Sequence, residues 1–250
     1  MSELDSNNAI TILRDIFWVG FHDKESDLHC NSYILRDDHD VVLIDPGSIP
    51  HFSTVMRKVI DVVDPREITK IIVTHQDPDV CGNLPIVESL IDRKDLEVVV
   101  HSSCSRLIRH YGISSSIYEV DKHDDKLELK GGRVLNFFHT PYLHSPFAMI
   151  IYDSKTKTVF TSDIFGGLSK SWSLFADEGF LESMEAWHQL VMPSSEILKK
   201  CMNGIERLEI EHILPQHGSI IEGDNIKKAI ECLKALECGV EAIKEAKLYE

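Results

Sequence analysis

Short apolar runs separated by polar stretches open the chain. ITIL (10–13), IFWVG (16–20), NSYILR (31–36) and VVLIDPG (41–47) read as strands, with HDKESDLHC and DDHD as polar segments between them. From His51 to Val63 the period changes. Phe52, Val55, Met56, Val59, Ile60 and Val63 recur at three- and four-residue steps, which predicts an amphipathic helix ending before Asp64-Pro65. ITKIIVTH (68–75) predicts a strand and QDPDVCGN a polar loop; a helix from about Leu84, a strand LEVVV and a helix near Ser102 then give alternating β/α order. Further strands are expected at IYEV, KLEL, RVLNFF, FAMIIYD and TKTVFTSD. Leu181 to Leu208 reads as helix broken at Pro193, where Ser194 and Ser195 can cap a second segment. HILPQH is a short strand, and helix is expected from about Asp224 onward.

This order of sheet, helices, sheet, helices predicts two β layers covered on the outside by helices, an α/β four-layer αββα sandwich. No linker rich in Pro, Gly or Ser and no repeat interrupts it, so residues 1–250 are expected to form one domain. Charge narrows the partners. Twenty-six Lys and Arg against 41 Asp and Glu leave −15 at pH 7, which repels phosphate backbones and anionic headgroups, so nucleic acid and membrane are not expected partners. The longest uninterrupted apolar run, Phe147 to Tyr152, is far short of the roughly 20 residues of a spanning helix. MSELDSNNAI lacks the basic and apolar regions of a signal peptide, and a cytoplasmic location is expected. Cys30, Cys81, Cys104, Cys201, Cys232 and Cys238 include no C-x-x-C pair and read as free thiols.

Candidate chemistry gathers where strands end. His75, Asp77 and Asp79 form H-x-D-x-D; alternate side chains of an extended segment point the same way, so three metal-binding groups can converge, although such residues also serve ordinary turns. His144 precedes FAMIIYD, Asp163 closes TVFTSD and His217 closes HILPQHG; strand ends on one sheet edge share a rim. His22, His39, His51, His101, His110, His123, His188 and His212 lie on polar loops or helix faces, where a solvated imidazole is expected and no role is assigned.

VTHQDPDVCGNLP, HTPYLHSPFAMIIYD, TVFTSDIFGG and ILPQHG, in that order, resemble the metallo-β-lactamase-like domain of flavodiiron proteins and the shorter oxygen-binding diiron proteins. LHCNSYIL and VVLIDPG resemble the amino-terminal strands of that family, so the likeness covers nearly the whole chain. It implies the metallo-β-lactamase fold, with His75, Asp77 and His144 on one metal, Asp79 and His217 on the other, and Asp163 bridging the two. Two departures stand out. The family usually has Glu where this chain has Asp77, and often His directly after the third ligand, where this chain has Val80. A hydrocarbon cannot ligate, so the second metal is left with Asp79, Asp163 and His217 and with positions open to solvent, dioxygen or nitric oxide.

Three carboxylates with three imidazoles suit iron, although zinc tolerates the same atoms as an alternative or substitute. Asp45 is implied as an acceptor that orients a ligand, and a turn-forming Asp serves equally there. His29 either approaches the open face of the metals or bonds to backbone. Gly166 and Gly167 permit a tight turn behind Asp163; Trp172 and Phe175 either wall the site or fill the core. The leading expectation is a non-haem diiron protein that binds dioxygen or nitric oxide, as an oxygen sensor or a reductase component. No flavodoxin-like domain is expected after His217, so an external electron donor or a signalling protein is expected, and the resemblance favours a homodimer. The alternative is a dinuclear zinc hydrolase in which a bridging hydroxide attacks a thioester, lactone or phosphoester. It uses all six ligands, but Asp77 and Val80 replace residues usual in such hydrolases. A signalling module with structural metals is a third reading.

Overall fold

The computed structural model describes residues 5–23, 27–170 and 172–243. Among them the chain begins with β1 (Ile10–Leu13) and β2 (Ile16–Trp18), and a small hairpin of β3 (Phe21–His22) and β4 (His29–Cys30) follows. Next come β5 (Tyr33–Arg36), β6 (Val41–Ile44), α1 (Phe52–Val62) and β7 (Ile68–Ile72). The turn α2 (Pro78–Cys81), α3 (Leu84–Ile91), β8 (Glu97–Val100), α4 (Ser102–Ile108) and β9 (Ser116–Glu119) complete the first half. One sheet takes the order β1-β2-β5-β6-β7-β8-β9, antiparallel up to β6 and parallel from β6 to β9.

A second sheet is built from β10 (Lys126–Glu128), β11 (Val134–His139), β12 (Met149–Asp153), β13 (Thr158–Phe160), β14 (His212–Leu214) and β15 (Ile221–Glu222) in that order. Its helices are α5 (Phe180–Val191), α6 (Ser195–Ile205) and α7 (Asp224–Ala235). Ser194 caps α6, its Oγ accepting from the Ile197 N–H at 3.4 Å, so the break at Pro193 works as expected.

The side-chain parity of single strands shows the layers. Along β6, Val41 and Leu43 pack with Val55, Val59 and Leu84 of the first helices, while Val42 and Ile44 pack with Phe137, Met149 and Ile151 of the other sheet. Ile150 and Val159 face outward onto Met184, Leu198 and Met202. Three apolar layers therefore lie between helix and sheet, sheet and sheet, and sheet and helix, which is the expected αββα sandwich. One polar bolt crosses the middle layer. Arg133, fully buried at its side chain, pairs with Asp15 beside β1 and with the buried Asp153 at the end of β12, and it donates to the Arg36 carbonyl at 3.3 Å.

Several expectations need correction. The strand containing ITKIIVTH ends at Ile72, TKTVFTSD at Phe160 and HILPQH at Leu214, so the candidate ligands lie on loops beyond the strands. They also leave two different sheets rather than one edge. QDPDVCGN is not plain loop, because Pro78, preset for a first helical position, starts α2 with Asp77 as its extended N-cap. HDKESDLHC contributes both hairpin strands, although 24–26 lie outside the described residues. The last helix stops at Ala235; 244–250, like the opening MSEL, lie outside the described residues.

Candidate metal centre

Two carboxylates reach the site through α2. Asp77 is held by the Gln76 amide, which donates to its Oδ1 at 2.7 Å, while Gln76 Oε1 accepts from Ser145 Oγ at 2.8 Å beside His144. Asp79 follows inside the helical turn, so the two acids diverge instead of alternating along an extended chain. The turn is clamped from behind: the Gly47 N–H donates to the Val80 carbonyl at 2.8 Å, and Asn83 Nδ2 donates to the Pro46 carbonyl at 2.8 Å. Val80 itself is fully buried in the first apolar cluster.

Asp45 fixes the start of this loop. It sits at φ 51° and accepts from the Thr74 N–H at 2.8 Å and Thr74 Oγ1 at 2.9 Å, so it anchors the residue before His75 and does not touch the His75 ring. Ser162 Oγ bonds His75 Nδ1 at 2.9 Å, leaving Nε2 to face the carboxylates. Ser162 is also left-handed, at φ 52°. His217 is held in the same way: its Nδ1 donates to the His29 carbonyl at 2.7 Å. The loop around it is stapled to the first sheet by Asn31 Nδ2 and Tyr33 Oη, which both donate to the Pro215 carbonyl at 2.9 Å; Asn31 also donates to Gly218 at 3.0 Å. Trp18 Nε1 donates to Asn31 Oδ1 at 2.8 Å and sets that amide.

All six candidate ligands come together. His75 Nε2 lies 3.5 Å from Asp77 Oδ2 and 3.7 Å from Asp163 Oδ1; His144 Nε2 lies 3.2 Å from Asp77 Oδ2 and 2.8 Å from Asp163 Oδ2. His217 Nε2 lies 3.3 Å from Asp79 Oδ2 and 3.6 Å from Asp163 Oδ1. Asp163, buried, therefore faces three imidazoles with its two oxygens. The donor atoms form two triads, His75 with Asp77 and His144, and Cys30 with Asp79 and His217, each within 4.8 Å. Buried His75 Nε2 and Asp163 Oδ1 have no hydrogen-bond partner, which suits donors that share a cation.

The charges are strongly coupled. Burial alone would lower the His144 pKa, but Asp163 and Asp77 raise it to about 10. His75 and His217 are also raised against their burial, by Asp163 and Asp77 for the first and chiefly by Asp79 for the second. Burial pushes the Asp163 carboxyl up, and His75, His144 and His217 outweigh it, bringing it down to about 2; bonds from His144 and His75 hold Asp77 well below the usual range. Burial raises Asp45 to about 7. Imidazoles with raised pKa stabilise the fold fully below about pH 6.5 and lose that contribution as pH climbs toward 10. The lowered carboxylates contribute above about pH 4 and lose their share as pH falls toward 2. Asp45, raised by burial, works against the fold as pH rises from about 4 to 7, where the unfolded chain is ionised and folding must take up a proton. Chelator-treated protein is therefore expected to lose on the order of 5 °C in melting temperature between pH 6.5 and 9, measured by calorimetry, while metal-loaded protein changes less.

Two residues that carry the geometry were missed from the sequence. Trp187 on α5 donates Nε1 to the Asp163 carbonyl at 3.1 Å and its ring lies 4.6 Å from that of His217. His188, expected to be solvated, is fully buried: Nε2 accepts from the Phe165 N–H at 3.1 Å and Nδ1 donates to the Met184 carbonyl at 2.7 Å. Burial lowers its pKa to about 4, so it stays neutral in that role. Both pin the loop that carries Asp163. His101 is likewise not merely solvated, since it caps α4 by accepting from Ser103 N–H and stacks on His139 at 3.9 Å. A helix face with an apolar Trp beside a His is the only sequence signal for the first pair.

His29 resolves toward the backbone-bonded alternative. It is fully buried, its Nε2 3.0 Å from the Ser169 carbonyl, and Trp172 stacks on its ring at 4.7 Å while donating to the Gly218 carbonyl at 2.9 Å. Trp172 and Phe175 both pack, partly buried, against the inter-sheet core, and Trp172 also reaches the loop that carries His217. Gly166 is required by close approach: an added Cβ would stand 2.6 Å from Trp187 Nε1 and 2.9 Å from the Asp163 carbonyl. Gly166→Ala is expected to cost about 1–3 kcal/mol in denaturant unfolding, whereas Gly204→Ala, in open space on α6, should be neutral or stabilising by about 0.5–1 kcal/mol.

A family model described as ODP family beta lactamase matches residues 28–218. The anaerobic nitric oxide reductase flavorubredoxin of Klebsiella pneumoniae is 26% identical over 247 residues, which cover 89% of this chain and 50% of that protein. The chain spans about half the length of the curated relatives it matches. Among solved structures, the flavodiiron protein from Giardia intestinalis aligns with a TM-score of 0.82 at 22% identity, over 90% of this chain and 58% of its own. The apo chemotaxis sensor ODP from T. denticola aligns at 0.79 and 24%, over 94% and 96%, and a structure of chemotaxis sensor ODP described as a peroxy diiron species aligns at 0.77 and 23%, over 93% and 97%. These neighbours share the metallo-β-lactamase fold. Since the family match encloses the stretch from Cys30 to His217, on which both triads and their anchors are built, the chain belongs to the ODP family of beta-lactamase-fold proteins.

Proposed function

We propose that this chain is a non-haem diiron protein that binds dioxygen or nitric oxide, acting as an oxygen sensor or as a reductase component. The observation that carries the reading is the buried Asp163 carboxylate, facing His75 and His217 through Oδ1 and His144 through Oδ2. In this reading His75, Asp77 and His144 hold one iron, Asp79 and His217 the other, and Asp163 bridges them. Two ferrous ions held there would supply two electrons to a diatomic ligand. The chain's own residues set the conditions: Ser162 and the His29 carbonyl fix the two imidazole orientations, and the buried Asp163, Trp187 and Trp172 limit water behind the site. The sensor and reductase names of the relatives support both arms.

The proposal places the protein in the cytoplasm, as a homodimer served by an external electron donor or signalling protein. Among the described residues no helix is long and apolar enough to cross a membrane. Protein purified without oxygen is expected to hold two irons per chain and to change its visible spectrum on exposure to dioxygen or nitric oxide. Zinc throughout, with brisk esterase activity, would falsify the diiron reading.

A further inference from the structure

We infer that the Cys30 thiolate is a further protein ligand on the Asp79–His217 side of the centre. The inference rests on the two-metal reading above and extends it. Cys30 ends the short strand β4, where sequence reasoning left it among the free thiols. The backbone around it is zipped to the His217 loop: the Asn31 N–H donates to the Gln216 carbonyl at 2.7 Å, and the His29 carbonyl takes the His217 Nδ1 proton at 2.7 Å. That zipper sets the Cys30 sulfur 3.8 Å from His217 Nδ1, with the residue only 1% exposed.

Because the Nδ1 proton is committed to His29, the thiol does not donate into that nitrogen. The ring presents Nε2 to Asp79 at 3.3 Å and to Asp163 at 3.6 Å. The sulfur, an Asp79 oxygen and a His217 nitrogen all lie within 4.8 Å of one another, close to the roughly 4.4 Å that at most separates sulfur from oxygen or nitrogen on one ion. Asp163 Oδ1, on a side chain 2% exposed and with no hydrogen-bond partner, faces His217 Nε2 of this triad at 3.6 Å as well as His75 Nε2 at 3.7 Å. Val80, where resembling proteins often carry His, is packed in an apolar cluster, and the same cluster contains Cys30. A fourth donor would thus reach the second ion from β4 instead of from α2.

On binding, the thiol would release its proton to solvent and the sulfur would donate its electron pair to the ion. The two halves of the centre then differ in kind: oxygen and nitrogen donors on the His75 side, a sulfur added on the other. A softer donor set favours thiophilic metal ions there.

Cobalt(II) titrated without oxygen into the full-length, chelator-treated protein tests this. Two ions should bind, with a near-ultraviolet sulfur-to-cobalt charge-transfer band growing as the thiolate-bearing side fills. Cys30→Ser should abolish the band and weaken one ion on the order of 10–100-fold, whereas Cys81→Ser, whose sulfur lies 3.5 Å from the Asp77 carbonyl, should keep it. Should Cys30→Ser not fold, X-ray absorption of the zinc-loaded parent decides, the expected result being a Zn–S distance of about 2.3 Å on one of two ions. Two bound ions with neither band nor sulfur scattering overturn thiolate ligation and leave the two-metal reading standing, as does a band that survives in folded Cys30→Ser. A parent protein that binds no cobalt overturns both.

Discussion

Asp163→Ala is expected to empty both metal positions. Its two oxygens face imidazoles of both triads, and among the described residues it is the carboxylate placed to serve both halves. Without it, two cations would lie close together with one acid each and no shared anion between them, and each side would also lose a donor. Affinity on both sides should fall by on the order of 10–100-fold or more, read as metal content after gel filtration. His217→Ala is the paired measurement and should lose mainly one ion of two. Retention of two ions by Asp163→Ala would remove the bridging role; equal loss from both variants would show that the two positions fill together. The replacement should also lower the pKa of His144 in chelated protein, since Asp163 is the first of the carboxylates that raise it.

Arg133→Ala is expected to have the largest effect on stability away from the centre. Its side chain is completely enclosed and is shared by Asp15 and the equally enclosed Asp153, whose Oδ2 also takes the Thr156 hydroxyl. Taking away the guanidinium leaves a buried carboxylate with no cation, which costs about 3–5 kcal/mol. Urea unfolding should show that loss at pH 7. Metal content at low temperature should be unchanged, because Asp153 closes β12 at the end remote from the centre, whereas Met149 at the other end donates its N–H to the Thr74 carbonyl at 3.0 Å beside His75. A variant that loses its metals in the folded state would show that the two ends of β12 are coupled.

The layers were legible because burial on both faces leaves its period in the chain: β6 is apolar at every step and β12 from Met149 to Ile151, and parity alone sends alternate residues to helix or sheet. The six candidate ligands were legible as residue types near strand ends, although the loops that carry three of them beyond those ends were not. What the pattern does not carry is which sheet each strand joins. His75 leaves the first sheet while Asp163 and His217 leave the second, and nothing local distinguishes them. Anchors were hidden for a related reason. His188 reads as a polar helix position until its two nitrogens find the Phe165 N–H and the Met184 carbonyl, both contributed by the fold. Arg133 opens the expected strand RVLNFF, and its burial follows only from the two acids the sheets bring to it.

The staples between the first sheet and the His217 loop join residues 182 to 188 positions apart, from Tyr33 on Pro215 to the His29 carbonyl on His217. Closing so long a loop is slow and entropically costly until its contacts form. During synthesis at about 5–20 residues per second, His29 and Tyr33 emerge roughly 10–40 s before the segment that binds them. For most of that interval His75, Asp77 and Asp79 are present without His217, and no ion can be held from both sides. In the two-metal reading, acquisition of a complete centre therefore marks the end of folding: a chain carrying both ions would already have docked its second sheet on its first.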